Sequence, residues 1–176
     1  MEVNFPKNRI WVGRVPTKIM FFTWEATWGK ILTLDRLQKR GWQLPNRCFL
    51  CACEAESVDH LLIHCTVARE LWDLVLGLVG VKWVFPKSVK EVLYSWGGSF
   101  VGKKKKKFWS SIPLFIFWMV WKERNRLAFR GGGGGGGLAI QRFKYSFVCY
   151  IWGWAKLYME ERPHSLLNFL EWIASN

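Results

Sequence analysis

The sequence predicts a mainly α fold, and three observations carry that expectation. Strand-like alternation of apolar and polar residues is weak along the whole chain. Several segments show helix-start residues followed by apolar positions at three- and four-residue spacing. Hydrophobic residues make up 51% of the 176 residues and aromatics 17%, enough apolar surface for a real core despite a net charge of +13.

The elements follow in order. Pro16 precedes Lys18-Ile19-Met20-Phe21-Phe22-Thr23-Trp24, which opens a helix running to about Gly29. Thr33 is a good N-cap, Asp35 falls in the first turn, Lys39 and Arg40 in the last, and Gly41 just beyond, so 34–40 is a short helix. Pro45 then breaks the chain. Ser57 is a second N-cap, with Asp59 behind it, for a helix carrying Val58, Leu61 and Leu62. That helix continues or restarts through Ala68, Leu71, Trp72, Val75 and Leu78. Ser88-Val89-Lys90-Glu91 is a capping box for a helix at 89–96, between Pro86 and Gly97-Gly98.

From Lys103 to Arg130 the pattern is helical, with Pro113 expected to kink it. Seven glycines, Gly131 to Gly137, form a linker. A last amphipathic helix spans 138–160, Pro163 stops it, and a short helical tail follows. Its basic residues Arg142, Lys144 and Lys156 are too few for a membrane-surface helix, so its apolar face is expected to pack on the rest of the protein.

The charge is distributed in three blocks. Residues 1–47 carry nine basic and three acidic side chains, 48–102 four and six, and 103–176 thirteen and four. A basic excess on both sides of an acidic block points to polyanion partners, RNA or DNA first. The contacts expected are Arg36, Lys39, Arg40 and Arg47 before the acidic block, and Lys103, Lys104, Lys105, Lys106, Lys107, Arg124 and Arg126 after it. The competing reading of the lysine run is a solvated tract that keeps an aromatic-rich chain soluble. The run also suits a nuclear address.

Met1-Glu2-Val3-Asn4-Phe5 has no apolar signal-peptide core behind it, and the longest apolar run, Ile112 to Trp121, is ten residues against the roughly 20 a membrane span needs. An intracellular, reducing location without a membrane partner is therefore expected. In such a compartment clustered cysteines mean metal more often than disulfide.

The cysteines do cluster. Residues 48–65 hold four Cys and two His, while the other 158 residues hold one of each. Cys48, Cys51, His60 and Cys65 read as C-x2-C-x8-H-x4-C, and a Cys3His set satisfies tetrahedral zinc. Cys53 could replace Cys51, and His64 could replace His60. His60 and Cys65 lie about one and a half α-helical turns apart, so the set demands a distortion or a break between them. Four protein donors leave no open position, which predicts one structural zinc ion. The fold expected is thus a small helical domain organised around a Cys3His knuckle, with long C-terminal helices.

The chain resembles the zinc-binding domain that follows the polymerase in plant LINE-type (non-LTR) retrotransposon reverse transcriptases. The resemblance begins at Ile10-Trp11 and Val15-Pro16-Thr17-Lys18 and continues through Phe21-Phe22-Thr23-Trp24 and Ile31-Leu32-Thr33-Leu34-Asp35-Arg36-Leu37 to Arg40-Gly41. It is most specific at Cys48-Phe49-Leu50-Cys51, at Glu56-Ser57-Val58-Asp59-His60-Leu61-Leu62-Ile63-His64-Cys65, and at Ala68 and Leu71-Trp72. Trp121-Lys122-Glu123-Arg124-Asn125-Arg126 and Phe129 are similar to a downstream W-x-x-R-N-x-x-x-F element of the family. The resemblance covers about residues 10–130. It implies Cys48, Cys51, His60 and Cys65 as ligands, and a nucleic-acid-associated retroelement module. The glycine and lysine runs depart from the family pattern.

Enzymatic chemistry is not expected. The chain has only Asp35, Asp59 and Asp73, no Asp-Asp pair, and Glu160-Glu161 as its sole adjacent acidic pair, so the carboxylate cluster of a two-metal nuclease or polymerase is missing. The glycine run lacks the Lys-Ser/Thr of a phosphate loop. The organisation predicted is a zinc-binding domain at 10–97, a basic and aromatic helical extension at 98–130, the linker at 131–137 and a helical segment at 138–176. The leading function is a non-catalytic accessory element that binds RNA or DNA. The alternative is a zinc-stapled interaction module that docks on the polymerase body or another protein, with Trp109, Phe115, Phe117, Trp118 and Trp121 partly in the interface. Most Trp and Phe are otherwise expected in the core.

Overall fold

The computed structural model describes residues 5–97, 101–103, 105–130, 137–157 and 164–175. Among them are eight α-helices and one π-helical turn, and no strand. In chain order these are α1 (Lys7–Ile10), α2 (Thr17–Thr27), α3 (Leu34–Lys39), the π turn (His60–His64), α4 (Thr66–Leu78), α5 (Val89–Ser95), α6 (Lys106–Arg130), α7 (Gly137–Ala155) and α8 (Leu166–Ala174).

The segment read as an extension supplies α6, and α6 runs through the core. Its 25 residues make a rod of about 37 Å. Phe108, Trp109 and Ser111 to Phe117 are buried all round, which is the pattern of a helix enclosed by others. α1, α2, the π turn, α4 and α7 all pack against it. α7 lies on α4, α6 and α8, so its apolar face is covered by protein, as expected. It ends at Ala155, short of the 138–160 expected; residues 158–160 and Pro163 lie outside the described residues. Gly137, placed in the linker from sequence, already belongs to α7.

Pro113 sits inside α6 and cannot donate to the carbonyl of Trp109, four residues back. The structure supplies a substitute donor. The Trp96 indole N–H donates to that carbonyl at 2.8 Å, and the Trp109 indole donates to the Gly97 carbonyl at 3.1 Å. The two indoles stack, with centroids 4.6 Å apart. Trp72 is the centre of the neighbouring cluster: Trp83, Phe85, Trp96 and Phe117 surround its ring, and its indole N–H donates to Leu62 O at 3.0 Å. Most of the tryptophans thus pack in or against the core, while Trp11, Trp28 and Trp42 are exposed.

The caps were placed correctly by sequence but not always partnered correctly. Ser88 accepts from Glu91 N, as a capping box requires, while Glu91 reaches back to Lys87 N. Ser57 Oγ accepts from His60 N. Thr33 does not cap α3: its hydroxyl donates to Asp35 Oδ1, and the Leu34 N–H goes to Glu56 Oε1 at 3.0 Å. Asp59 accepts from Val89 N at 2.8 Å, and so caps α5, 30 residues downstream.

Glu56 is the polar centre of the fold. Its side chain is 0% exposed, and Arg124, 5% exposed, meets it through Nη2 at 2.7 Å and Nε at 3.1 and 3.2 Å. Phe49 N also donates to it, at 3.4 Å. The guanidinium lies between the Phe49 and Trp121 rings, 4.8 and 5.1 Å from their centroids. Arg124, expected to contact nucleic acid, is therefore corrected: it is an internal clamp, enclosed and fully engaged.

Removing one partner of such a pair strands a buried charge. Arg124→Met is expected to lower unfolding free energy by about 3–5 kcal/mol. Arg126→Met removes a pair with Glu123 whose arginine is 45% exposed, and is expected to cost at most about 1 kcal/mol. Urea denaturation of the two variants checks the contrast.

Candidate metal centre

The knuckle is a tight turn. Cys48 N donates to Glu54 O at 2.8 Å and Ala52 N to Cys48 O at 2.9 Å. Ala52 takes φ +55°, the left-handed region, directly after the second cysteine. Cys48 is buried and Cys51 half-buried.

His60 and Cys65 come from the other side. In an α-helix, five residues advance about 500°, leaving the two side chains roughly 140° apart. The π turn removes that offset. Its i→i+5 bond, Cys65 N to His60 O at 2.6 Å, brings the fifth residue back over the first. Cys65 then leaves helical geometry at φ −56°, ψ 132°, and α4 starts at Thr66. The distortion and the break demanded by the spacing are both present.

The donor atoms of Cys48, Cys51, His60 and Cys65 all lie within 4.8 Å of one another. Cys48 Sγ is 3.9 Å from Cys65 Sγ, and Cys51 Sγ is 3.4 Å from His60 Nε2. A tetrahedron with Zn–S of about 2.3 Å and Zn–N of about 2.05 Å has edges of about 3.8 Å between sulfurs and about 3.6 Å from sulfur to nitrogen. The donor set fits zinc. The two rival ligands stand apart from the cluster: Cys53 is exposed with its thiol donating to Cys51 O, and His64 is exposed with Nε2 3.2 Å from Lys87 O.

His60 Nδ1, on the far side of the ring, lies 3.3 Å from Glu54 Oε2, although the angle is poor for a hydrogen bond. A carboxylate hydrogen-bonded at that nitrogen would orient the imidazole and fix its tautomer. Sequence gives no role to Glu54 or Glu56, and gives Asp59 only a place in the first turn after Ser57, not its bond to Val89 N. Glu56 and Asp59 lie in the run that carries the resemblance, and that was the only signal available.

Without metal, Cys48 and His60 hold their protons more tightly than usual. The Cys65 thiol hydrogen bond, followed by burial, pushes Cys48 up to about 12. The hydrogen bond with Cys48 raises His60 to about 9 against the opposing effect of burial. Cys65 is lowered by the same Cys48 hydrogen bond.

The basic residues fall in two groups. Arg36, Lys39 and Arg40 lie on or just after α3, whose start is held by Glu56 and so by the Arg124 end of α6; Arg47 immediately precedes the knuckle. Lys39, Arg40 and Arg47 are exposed; Lys39 pairs with Asp35 at 3.1 Å, and Arg36 is half-buried. Lys103, Lys106 and Lys107 are exposed at the other end of α6. Lys105 donates to Ser175 and lies 5.4 Å from the Trp172 ring, and Lys104 lies outside the described residues. Arg126 is exposed and paired with Glu123.

Residues 1–72 match the family described as zinc-binding in reverse transcriptase, and that segment contains all four donors. Over these residues the chain is similar to that family. The chain is also 30% identical over 117 residues to an Arabidopsis thaliana protein named "Putative ribonuclease H protein", covering 66% of this chain and 19% of that protein. The chain thus spans about a fifth of the length of that relative. No solved structure matches it. Among the described residues no helix is long and apolar enough to cross a membrane.

Two measurements test the zinc-binding centre. Cys48→Ser and Cys65→Ser are expected to drop zinc from stoichiometric to background on elemental analysis and to unfold the segment around 45–75, whereas His64→Ala retains the metal. The raised groups, Cys48 and His60, are both protonated at about pH 7, so zinc must displace their protons. Apparent affinity is therefore expected to rise with pH, with a slope of at least about two log units per pH unit between about pH 6 and pH 8. Calorimetry in two buffers of different ionisation enthalpy reads the released protons directly.

Proposed function

We propose that the protein is a non-catalytic, retrotransposon-derived accessory module that binds RNA or DNA, with one structural zinc ion holding the segment that carries part of its basic surface. Four protein donors complete the ion's coordination, so it supplies folding free energy and leaves no position for a substrate. The observation that carries the reading is the placement of charge. Exposed cations stand at both ends of α6, and Arg47 stands exposed directly before the knuckle.

The two groups of cations named above are set apart by the stretch of α6 from Lys106 to the buried Arg124, 18 residues or about 27 Å along its axis. A polyanion touching both groups would cover about eight base pairs at 3.4 Å each. Arg40, Arg47, Lys103, Lys106 and Lys107 are the exposed cations best placed to meet phosphate. The same placement fits a nuclear, intracellular setting, where such a polymer is found.

A second reading is docking on a polymerase body or another protein. Trp109, Phe115 and Phe117, named for it from sequence, are buried. What favours it is a different set: Trp11, Phe21, Trp28 and Trp42 are 40, 53, 44 and 62% exposed.

Titration of the zinc-loaded protein against a labelled 20-nucleotide RNA and a 20-base-pair DNA separates the two. Phosphate binding through five cations is expected to give log affinity falling with log salt at a slope of about −4 to −5 on duplex. Absence of salt-sensitive binding to both ligands removes the nucleic-acid reading and leaves docking.

A further inference from the structure

A cavity of about 980 Å³ lies between the C-terminal half of α6 and the first half of α7. The metal does not account for it, and of the contacts expected from sequence only Arg126 lines it. Lys122, Arg126 and Arg130 of α6 and Arg142 of α7 line it, against one carboxylate, Glu123. That carboxylate is already taken by Arg126 at 2.6 Å. Arg130 and Arg142 are exposed and form no ion pair among the described residues. The other α7 cation with a close acidic neighbour, Lys144, is neutralised by Glu70 at 2.5 Å. Within α7, then, the unpaired charge faces the cavity.

We infer that this α6–α7 groove is a binding site for a single strand of nucleic acid, held by Arg130, Arg142 and Lys122 on its phosphates. The inference rests on the nucleic-acid reading above and gives it a location. Charge selects a polyanion: four cations converge from two helices around one carboxylate that has no charge to spare. Size selects a strand. A space of about 980 Å³ between two helices admits a short stretch of an extended chain but not a duplex.

The lining is mixed, with the apolar Met119, Phe143 and Trp121 below the cations, as a strand with apolar base faces and charged phosphates requires. Phe129 does not line the cavity itself but precedes Arg130, which does, and offers a stacking platform beside it. It shares one face of α6 with Lys122 and Arg126 by seven- and three-residue spacing, and it is 83% exposed. An aromatic ring this open makes no packing contribution that would explain its place.

The test uses the full zinc-loaded chain and a labelled 12-nucleotide uridine RNA, a 12-nucleotide thymidine DNA and a 12-base-pair duplex, each at two salt concentrations. Arg130→Glu/Arg142→Glu is expected to weaken both single strands at least tenfold and the duplex less, with zinc content and helicity unchanged. The milder Arg130→Gln/Arg142→Gln lowers the single-strand salt slope by about 1.4, two contacts at about 0.7 each, and serves if the reversal disturbs folding. Phe129→Ala weakens single-strand binding at least about fivefold without changing the slope. If the groove variants bind like wild type while Lys39→Glu/Arg40→Glu loses affinity, the groove assignment is wrong and the broader reading stands. If the wild-type protein binds none of the three ligands, both fall.

Discussion

The fold depends on one buried carboxylate. Glu56 is fully enclosed, yet Arg124 and the backbone N–H groups of Leu34 and Phe49 all donate to it. These partners come from three places: the start of α3, the cysteine knuckle and the far end of α6. Each alone would expose polar groups or strand a charge. Together they satisfy the carboxylate and fix three segments against one another. The backbone of Glu56 joins the same network, its carbonyl accepting from Asp35 N and its N–H donating to Asn46 Oδ1 at 2.7 Å. Asn125 Oδ1, next in the chain, accepts from Arg124 Nη1 at 3.1 Å and so occupies a donor that Glu56 does not.

This network explains how a long irregular stretch survives inside a helical protein. Between the end of α3 at Lys39 and the π turn at His60 there is almost no regular structure to satisfy the backbone. A loop of that length needs another source of order. It has two, a few residues apart in sequence: the four-donor cluster and the Glu56 clamp. Trp72, donating to Leu62 O and packed on four rings, then locks the π turn onto α4 and α6. Metal centre, clamp and aromatic core therefore meet over a short span of chain.

Much of this was legible in sequence, for reasons that can be stated. The donor set follows from local spacing, since the C-x2-C turn and the two later ligands lie within 18 residues. Even the distortion between His60 and Cys65 was implied by helix geometry. Helix starts were legible because cap residues act over three or four positions. What sequence could not supply was the partner at long range. Thr33 has the right type for a cap, but Glu56, 22 residues from the N–H it binds, won the position. Arg124 looked like a surface cation because nothing local reports its burial. The indole of Trp96 replacing the donor that Pro113 lacks is likewise a tertiary event. The cavity between α6 and α7 needed both helices in place before it existed.

The anchoring of Lys105 gives the lysine run a property that composition does not. Its amine donates to Ser175 just past the end of α8 and lies 5.4 Å from the Trp172 ring, which packs on Phe108. A polybasic tract on a loose tail averages its field over many directions and loses much freedom when it engages a surface. One tethered near its midpoint holds its neighbours in a fixed bearing, so most of that entropic penalty is met during folding, before any encounter.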